Sequence, residues 1–113
     1  MTTFDGVGGA LINPLKTVLN VGCGPRGRLH GFAGFDQSWT ELRLDIDPAV
    51  EPDVLGTMTD MSALATGSVD AVVSSHNMEH LYPHEVPLAL AEFVRVLKPD
   101  GRALAVLHLP RKG

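Results

Sequence analysis

A glycine-rich segment directly after a short apolar run most constrains the fold of this chain. Residues 17–21 read Thr-Val-Leu-Asn-Val, and residues 22–27 follow with the spacing G-x-G-x-x-G. A short apolar run that ends at glycine is typical of a strand buried on both faces. Glycines after such a strand permit a tight turn and let a ligand approach the backbone amides. The pattern predicts a buried strand followed by a ligand-binding turn.

The rest of the chain alternates between candidate strands and one candidate helix. Residues 84–97 carry an apolar stripe with spacings of four, three and four, which predicts a helix with its core face on the stripe. Strands that alternate with helices indicate an α/β fold with a parallel sheet and right-handed crossovers. The predicted core stripe is Val86, Leu90, Phe93 and Leu97, and the other predicted strands are residues 42–46, 53–56, 69–74 and 102–109.

An acidic residue ends the second predicted strand. Asp45 lies 23 positions after Gly22, close to the separation of about 20 at which a carboxylate accepts hydrogen bonds from ribose hydroxyls on such sheets. A dinucleotide and S-adenosylmethionine both carry an adenosine ribose, so this pairing leaves the ligand open. A pyrophosphate favours a long helix after the glycine turn. The weak helical pattern after Gly27 counts against a dinucleotide.

Length and composition limit the class of protein. The 113 residues fit one domain, 1–113, in which 1–16 form a loose lead-in. The formal net charge is −4 and no basic face stands out, so we expect no nucleic-acid partner. The single cysteine, Cys23, excludes a disulfide-built module. Without a signal-peptide pattern or a run of about 18 apolar residues, we expect a soluble cytoplasmic protein with no membrane partner.

Five segments resemble motifs of the class I S-adenosylmethionine-dependent methyltransferases, and within them the subgroup called type 11. The resemblance spans about residues 17 to 109, and its last segment discriminates best because dehydrogenases on the same fold do not share it. The segments are residues 18–25, 44–48, 56–61, 68–75 and 93–102.

The resemblance implies a fold, a cofactor and a reaction. The fold would be α/β, a Rossmann-like mostly parallel sheet of strand order 3-2-1-4-5 that lacks the last two strands usual in the family. The cofactor would be S-adenosylmethionine, and the reaction methyl transfer to a small-molecule acceptor. The fifth strand would then be an apolar edge, and such an edge invites pairing with another chain. We therefore expect a homodimer through residues 102–109.

The resemblance also implies roles for individual residues. Gly22 and Gly24 would flank the methionine part of the cofactor, and Asp45 would hold the ribose. Met58 and Asp60 would line the adenine. The implied cofactor-binding residues are Asn20, Gly22, Cys23, Gly24, Asp45, Ile46, Met58, Asp60 and Ser75.

The segment after the fourth predicted strand supplies a catalytic candidate. His76 would face the acceptor there as a possible general base.

The departures from the family pattern include Asn20, where many members carry an acid, and Thr57, where an aspartate is common.

Three other readings stay open at this point. The chain could bind the cofactor without transferring the methyl group, because the short C-terminus would remove the acceptor site. It could be a nicotinamide-dependent oxidoreductase on the same sheet. Finally, residues 76–80 read H-x-x-E-H, so that on a helix His76 and His80 could share a zinc ion. Glu85 and Glu92 are the only glutamates that follow, and both lie in the next predicted helix, which makes the zinc site the weakest of the three.

Overall fold

A computed structural model describes residues 16–27, 29, 34–75 and 77–106 as a five-stranded parallel sheet with one α-helix. The strand order is β3-β2-β1-β4-β5, so the predicted fold class and strand order are confirmed. In the described part of the chain, no helix is long and apolar enough to cross a membrane. The strands are β1 (Lys16–Val21), β2 (Trp39–Asp45), β3 (Val54–Leu55), β4 (Val69–Ser75) and β5 (Leu97–Val106), and the helix is α1 (Val86–Val96).

The two most apolar strands lie at the centre of the sheet. In β1 and β4, Leu19 pairs with Val72 and Val21 with Ser74, while β2 pairs with the other side of β1. A central strand is covered on both faces, which is why these segments lack the polar alternation of a half-exposed strand. Their carboxyl ends meet at one edge of the sheet, and that edge positions the candidate site.

Two apolar clusters cover the opposite faces of the sheet. The larger one lies under α1, where Leu19, Val21 and Leu44 pack with Phe93 and Val96 of the helix. The smaller one is on the other face. It consists of the buried residues Val18, Leu29, Ala71 and Val73, with the rings of Phe35 and Trp39 packed against them.

The buried face of α1 differs from the predicted stripe. Ala89, Phe93 and Val96 are buried, and Val86 and Leu97 are partly buried against the same cluster. Leu90 is 47% exposed, so its prediction as a core residue is wrong for the described structure. The sequence of this helix contains two overlapping apolar stripes. The stripe that includes Ala89 faces the sheet, because the small side chain of Ala89 allows helix and sheet to approach each other.

The fifth strand begins earlier than predicted and is irregular at its start. Leu97 pairs with Val69, and the ladder resumes only where Arg102 pairs with Ala71. Residues 98–101 therefore lie between two paired positions. A Cβ at Gly101 would lie 2.9 Å from the Asp70 carbonyl oxygen and 2.7 Å from the Leu97 side chain, so this tight passage requires glycine.

A charged pair fastens the segment between β3 and β4 to the helix. Arg95 Nη2 donates to the Met61 carbonyl at 2.8 Å and its Nη1 donates to the Leu64 carbonyl at 2.9 Å. Glu92 accepts a hydrogen bond from the Met61 N–H at 2.6 Å and pairs with Arg95 at 2.7 Å. The arginine beside it lowers the pKa of Glu92. One flank of α1 is thus tied to residues 61–64, in the connection between β3 and β4.

The observed helix face yields a direct test. Phe93→Ala removes a side chain that is 3% exposed in the core under α1, so we expect it to lower the free energy of unfolding by about 3–5 kcal/mol. Leu88→Ala, at a position 53% exposed on the same helix, should change it by about 0.5 kcal/mol or less. Urea denaturation monitored by circular dichroism measures both values. Equal losses would contradict the assigned orientation of α1.

Candidate functional site

A groove of about 410 Å³ lies at the carboxyl ends of β1, β2 and β4. Its walls come from the glycine turn at Gly22, from Asp45 and Ile46 at the end of β2, from residues 56–59 and from the segment 77–85. Ligand sites on parallel sheets form at this edge, outside the carboxyl ends of the strands, and pockets for small molecules usually fall between about 300 and 1,000 Å³. The groove therefore has the position and the size of a ligand site.

The glycine turn needs glycine at two of its positions. Gly22 and Gly24 have φ angles of 63° and 61°, in the left-handed region that side chains with a Cβ rarely adopt. Between them, the Cys23 N–H donates to the Leu44 carbonyl at 3.0 Å, which extends the contact between β1 and β2 into the turn. The first two glycines of the motif are thus explained by the backbone conformation.

Asp45 faces the glycine turn. Its Oδ2 accepts a hydrogen bond from the Gly24 N–H at 3.0 Å, and its Oδ1 accepts one from the Asp47 N–H at 3.0 Å. An ionised carboxylate has about four acceptor positions on its two oxygens. Two of the four are used by the backbone, so the carboxylate is held in a fixed orientation and can still accept from a ligand in the groove.

A buried arginine supports the same turn from the other face of the sheet. Arg43 is 3% exposed, and its guanidinium donates to the carbonyls of Gly24 at 2.6 Å, Glu51 at 2.6 Å and Val50 at 2.9 Å. Its Nε has no hydrogen-bond partner among the described residues. The Arg43 side chain therefore connects the glycine turn to the turn that follows β2.

Asn77 closes the groove above Gly22. Its Nδ2 donates to the Val21 carbonyl at 2.8 Å, and a Cβ added to Gly22 would lie 2.7 Å from the Asn77 Cγ. Only glycine at position 22 leaves room for this side chain. Asn77 therefore joins the segment after β4 to the end of β1 and forms part of the groove wall.

The loop after β3 forms another wall. Its Thr57, Met58 and Thr59 line the groove, whereas the Asp60 carboxylate accepts a hydrogen bond from the Ser62 N–H at 3.1 Å. Hydrogen bonds from Ser62, first from its side chain and then from its backbone, lower the pKa of Asp60. The carboxylate thus stays ionised and shapes the loop.

The structure brings some of the predicted cofactor residues together. Gly22, Asp45, Ile46 and Met58 line the groove, and Gly24 reaches it through its hydrogen bond to Asp45. Cys23 is buried behind the turn, with its Sγ 4.0 Å from the Asp45 Oδ2. Burial raises the pKa of the Cys23 thiol, which keeps it protonated and unreactive.

The other predicted residues lie elsewhere. Asn20 is buried in β1, where its amide donates to the Glu41 carboxylate at 2.8 Å on the face away from α1. Asp60 and Ser75 are not among the residues that form the groove wall. His76, the predicted general base, falls outside the described residues.

Sequence reasoning missed four residues that line or support the groove. The sequence offers His80 and Glu85 only as candidate zinc ligands and gives Asn77 no role, yet all three line the groove. The fourth is Arg43, and its charge between Leu42 and Leu44 is the one available signal. A cation at a buried strand position requires acceptors nearby, and carbonyls of the adjoining turns supply them here.

A second, larger groove of about 710 Å³ lies near the amino ends of the strands, beside Trp39, Phe35 and Leu104. It contains neither the glycine turn nor Asp45, the two features that the sequence predicts to bind a ligand. Volume alone does not choose between the two grooves. The smaller one, where backbone amides and a fixed carboxylate converge, is the candidate functional site.

Comparison with known families agrees with this geometry. Residues 19–105 match the family described as "Methyltransferase domain", which covers most of the chain. The chain belongs to this family. The match includes the glycine turn, Asp45 and the segments on either side of α1. No curated protein matched the sequence.

Solved structures share the fold of this methyltransferase domain. A protein of Pyrococcus horikoshii matches with a TM-score of 0.62 and 24% identity, over 80% of this chain and 48% of its own. A candidate S-adenosyl-L-methionine-dependent methyltransferase of Methanococcus maripaludis matches with a TM-score of 0.66 and 18% identity, over 80% of this chain and 47% of its own. A SAM-dependent methyltransferase of Archaeoglobus fulgidus matches with a TM-score of 0.60 and 23% identity, over 74% of this chain and 41% of its own. The chain spans about half the length of these proteins or less.

The contact between Gly22 and Asn77 can be tested with a second glycine as reference. Gly22 and Gly27 both have positive φ, but a Cβ at Gly27 would meet nothing within 4 Å. Gly27→Ala should cost about 1–2 kcal/mol of unfolding free energy, from backbone strain alone. Gly22→Ala should cost about 1 kcal/mol more, because Asn77 must release the Val21 carbonyl. Adding Asn77→Ala should remove this excess in a double-mutant cycle, and additive effects would contradict the contact.

The role of Arg43 can be tested against a neighbouring exposed arginine. Arg43→Met leaves three carbonyls without their charged donor, so we expect a loss of roughly 2–4 kcal/mol in the free energy of unfolding. Arg26 also reaches the Glu51 carbonyl, but at 3.5 Å and in solvent, so Arg26→Met should change stability by about 0.5 kcal/mol or less. Chemical denaturation of both variants measures this. An Arg43→Met protein as stable as the wild type would show that these three hydrogen bonds do not contribute to stability.

Proposed function

We propose that this chain binds S-adenosylmethionine in the 410 Å³ groove and transfers its methyl group to a small-molecule acceptor. The observation that carries the proposal is the fixed orientation of the Asp45 carboxylate against the Gly24 amide. Membership of the methyltransferase domain family supports the reaction class. The names of two structurally similar proteins, which include this cofactor, support the choice of ligand.

The residues of the groove fit an adenosyl group. Asp45 keeps two acceptor positions for the vicinal ribose hydroxyls, and hydrogen bonds to an ionised acceptor are stronger than neutral ones. Ile46, next to it, is 67% exposed at the groove wall, and Met58 lines the same groove. A purine ring between these apolar side chains would remove them from water. The ribose and adenine therefore find complementary groups on neighbouring residues.

The glycine turn fits the opposite end of the same molecule. Because Gly22 and Gly24 have no side chains, the methionine part of the cofactor can approach the backbone closely. The cofactor supplies an activated methyl group on a sulfonium. The chain then has to hold it in line with the acceptor atom and exclude water, which lowers the entropic part of the barrier.

The acceptor would enter from the side of the segment after β4. His80 and Glu85 line that part of the groove. An acceptor that carries a proton on its attacking atom must lose it as the new bond to the methyl carbon forms, and an imidazole nitrogen can accept that proton. His80 is thus a candidate base among the described residues. His76 stays a prediction from sequence, as does a cytoplasmic location.

The decisive measurement combines ligand binding with turnover. Isothermal titration with S-adenosylmethionine and S-adenosylhomocysteine tests the site, and release of S-adenosylhomocysteine with a panel of small acceptors tests the reaction. Binding of both ligands with turnover supports the full proposal. Binding without turnover on any acceptor would reduce the function to cofactor binding. Affinity for NADH in place of these ligands would overturn it in favour of an oxidoreductase.

Asp45 provides the point test of the site. Asp45→Ala removes the charged acceptor, so we expect the affinity for S-adenosylhomocysteine to fall by about 1.5–3 kcal/mol, which is roughly 10–150-fold. Asp47→Asn is the matched control two residues further on. Its carboxylate caps the Pro48–Val50 turn by accepting from the Ala49 N–H at 2.9 Å, and asparagine can make the same bond. Unchanged affinity in Asp45→Ala would show that the site is elsewhere.

A further inference from the structure

The groove wall formed by the loop after β3 has little regular structure of its own. The described residues 56–68 connect β3 to β4 and, apart from one isolated bridge between Thr57 and Asp60, contain no helix or strand. Fixing the backbone of such residues costs conformational entropy. Contacts from outside the connection must therefore hold the groove wall at Thr57, Met58 and Thr59 in place.

One ion pair on α1 holds this connection at Met61, a residue that is 1% exposed. The Met61 N–H donates to the Glu92 Oε1 at 2.6 Å, and the Met61 carbonyl accepts from the Arg95 Nη2 at 2.8 Å. The Glu92 Oε2 in turn accepts from the Arg95 Nε at 2.7 Å. Both backbone polar groups of Met61 are thus bound by the same pair of side chains, which fixes the backbone at this position.

The same arginine holds the connection further along. The Arg95 Nη1 donates to the Leu64 carbonyl at 2.9 Å and to the Thr66 hydroxyl at 3.3 Å. The Gly67 N–H donates to the Arg95 carbonyl at 2.8 Å. An exposed ion pair by itself adds little to stability. This pair does more for the structure because its polar atoms also bind the backbone at Met61 and Leu64.

A short hydrogen-bonded loop links Met61 to the groove. Asp60 precedes Met61, and its N–H donates to the Thr57 carbonyl at 3.3 Å and to the Thr57 Oγ1 at 3.1 Å. The Asp60 carboxylate accepts from the Ser62 N–H at 3.1 Å. The position of this loop therefore depends on Met61, and Met58 within the loop lines the groove.

We propose that Glu92 and Arg95 are positioning residues of the cofactor site, which act through Met61 on the groove wall at Met58. Neither is among the described residues that line the groove, so the pair acts without touching the ligand. By fixing the wall before S-adenosylmethionine arrives, the pair removes an ordering cost that binding would otherwise have to offset. The adenine end of the cofactor is then bound by a loop that α1 holds in place. This inference rests on the proposed function, because it concerns the same groove and the same cofactor.

Binding of S-adenosylhomocysteine to the folded chain tests the proposal. Isothermal titration is run at a temperature at which circular dichroism shows every variant to be fully folded. Arg95→Met should lower the affinity by about 5–30-fold, the equivalent of one backbone residue that the ligand must now order. Lys98→Met is the matched control. Lys98 pairs with Asp70 at 3.3 Å, away from the connection, and its loss should change the affinity by less than about twofold.

A double-mutant cycle separates positioning from a merely structural role. Met58→Ala should weaken binding in the wild type, because its side chain would pack on the purine. In the Arg95→Met background the same change should weaken binding by a smaller factor, because the wall is no longer held against the ligand. In the Lys98→Met background it should weaken binding by the wild-type factor. A loss of stability alone would leave the effects of Met58→Ala and Arg95→Met on affinity independent.

Arg95→Lys keeps the test usable when Arg95→Met does not fold. Lysine retains the charge beside Glu92 but has no planar fork to reach the carbonyls of Met61 and Leu64 together, so its affinity should lie between those of the wild type and Arg95→Met, and it can replace Arg95→Met in the cycle. Two results would overturn the proposal: folded Arg95 variants that bind S-adenosylhomocysteine as tightly as the wild type, and independent effects in the cycle. A wild type that binds no S-adenosylhomocysteine would overturn the proposed function and this inference with it, so the wild-type titration tells the two failures apart.

Discussion

Both backbone polar groups of Gly24 form hydrogen bonds with side chains of β2, and the candidate site depends on these two bonds. The Gly24 N–H donates to Asp45 and its carbonyl accepts from Arg43, two residues apart on the same strand. A left-handed turn would otherwise have many conformations, and fixing it costs backbone entropy. Two charged side chains offset that cost. The same contacts orient the Asp45 carboxylate, so the geometry of the turn and that of the carboxylate are set together.

The architecture could be predicted from the sequence because it depends on local patterns. The apolar runs of β1 and β4, the glycines that follow β1 and the acid that ends β2 each lie within a few residues, and they predicted an α/β fold with a parallel sheet. The strand order was implied by the resemblance of these motifs to the methyltransferase family. The helix face was harder, because Ala89 and Leu90 both continue an apolar stripe that includes Phe93. Only the packing of Ala89 against the sheet decides between them, and this contact joins residues far apart in the chain.

Part of the candidate site could also be predicted from local sequence patterns. Gly22 and Asp45 belong to motifs with fixed spacing, and both lie in the groove wall. Asn77 bonds to the carbonyl of Val21, 56 positions away, and Arg43 bonds to Gly24, 19 positions away. No local pattern reports such contacts. Asparagine is common in turns, so the residue type of Asn77 offers no guide. Arg43 gives a signal only through its position between two leucines of a predicted strand, because arginine is otherwise common on surfaces.

The face of the sheet away from α1 shows how one strand pair can serve both fold and site. Near the amino ends of the strands it is apolar, where Val18 and Ala71 pack in the cluster that Trp39 covers. Towards the carboxyl ends it becomes polar, with Asn20 bonded to Glu41 beside the buried Arg43. Asn20 occupies a position where many family members carry an acid, yet its amide contacts a carboxylate supplied by β2. An acidic group, Glu41, therefore remains in this layer in contact with Asn20, while Asp45 is the carboxylate that lines the groove.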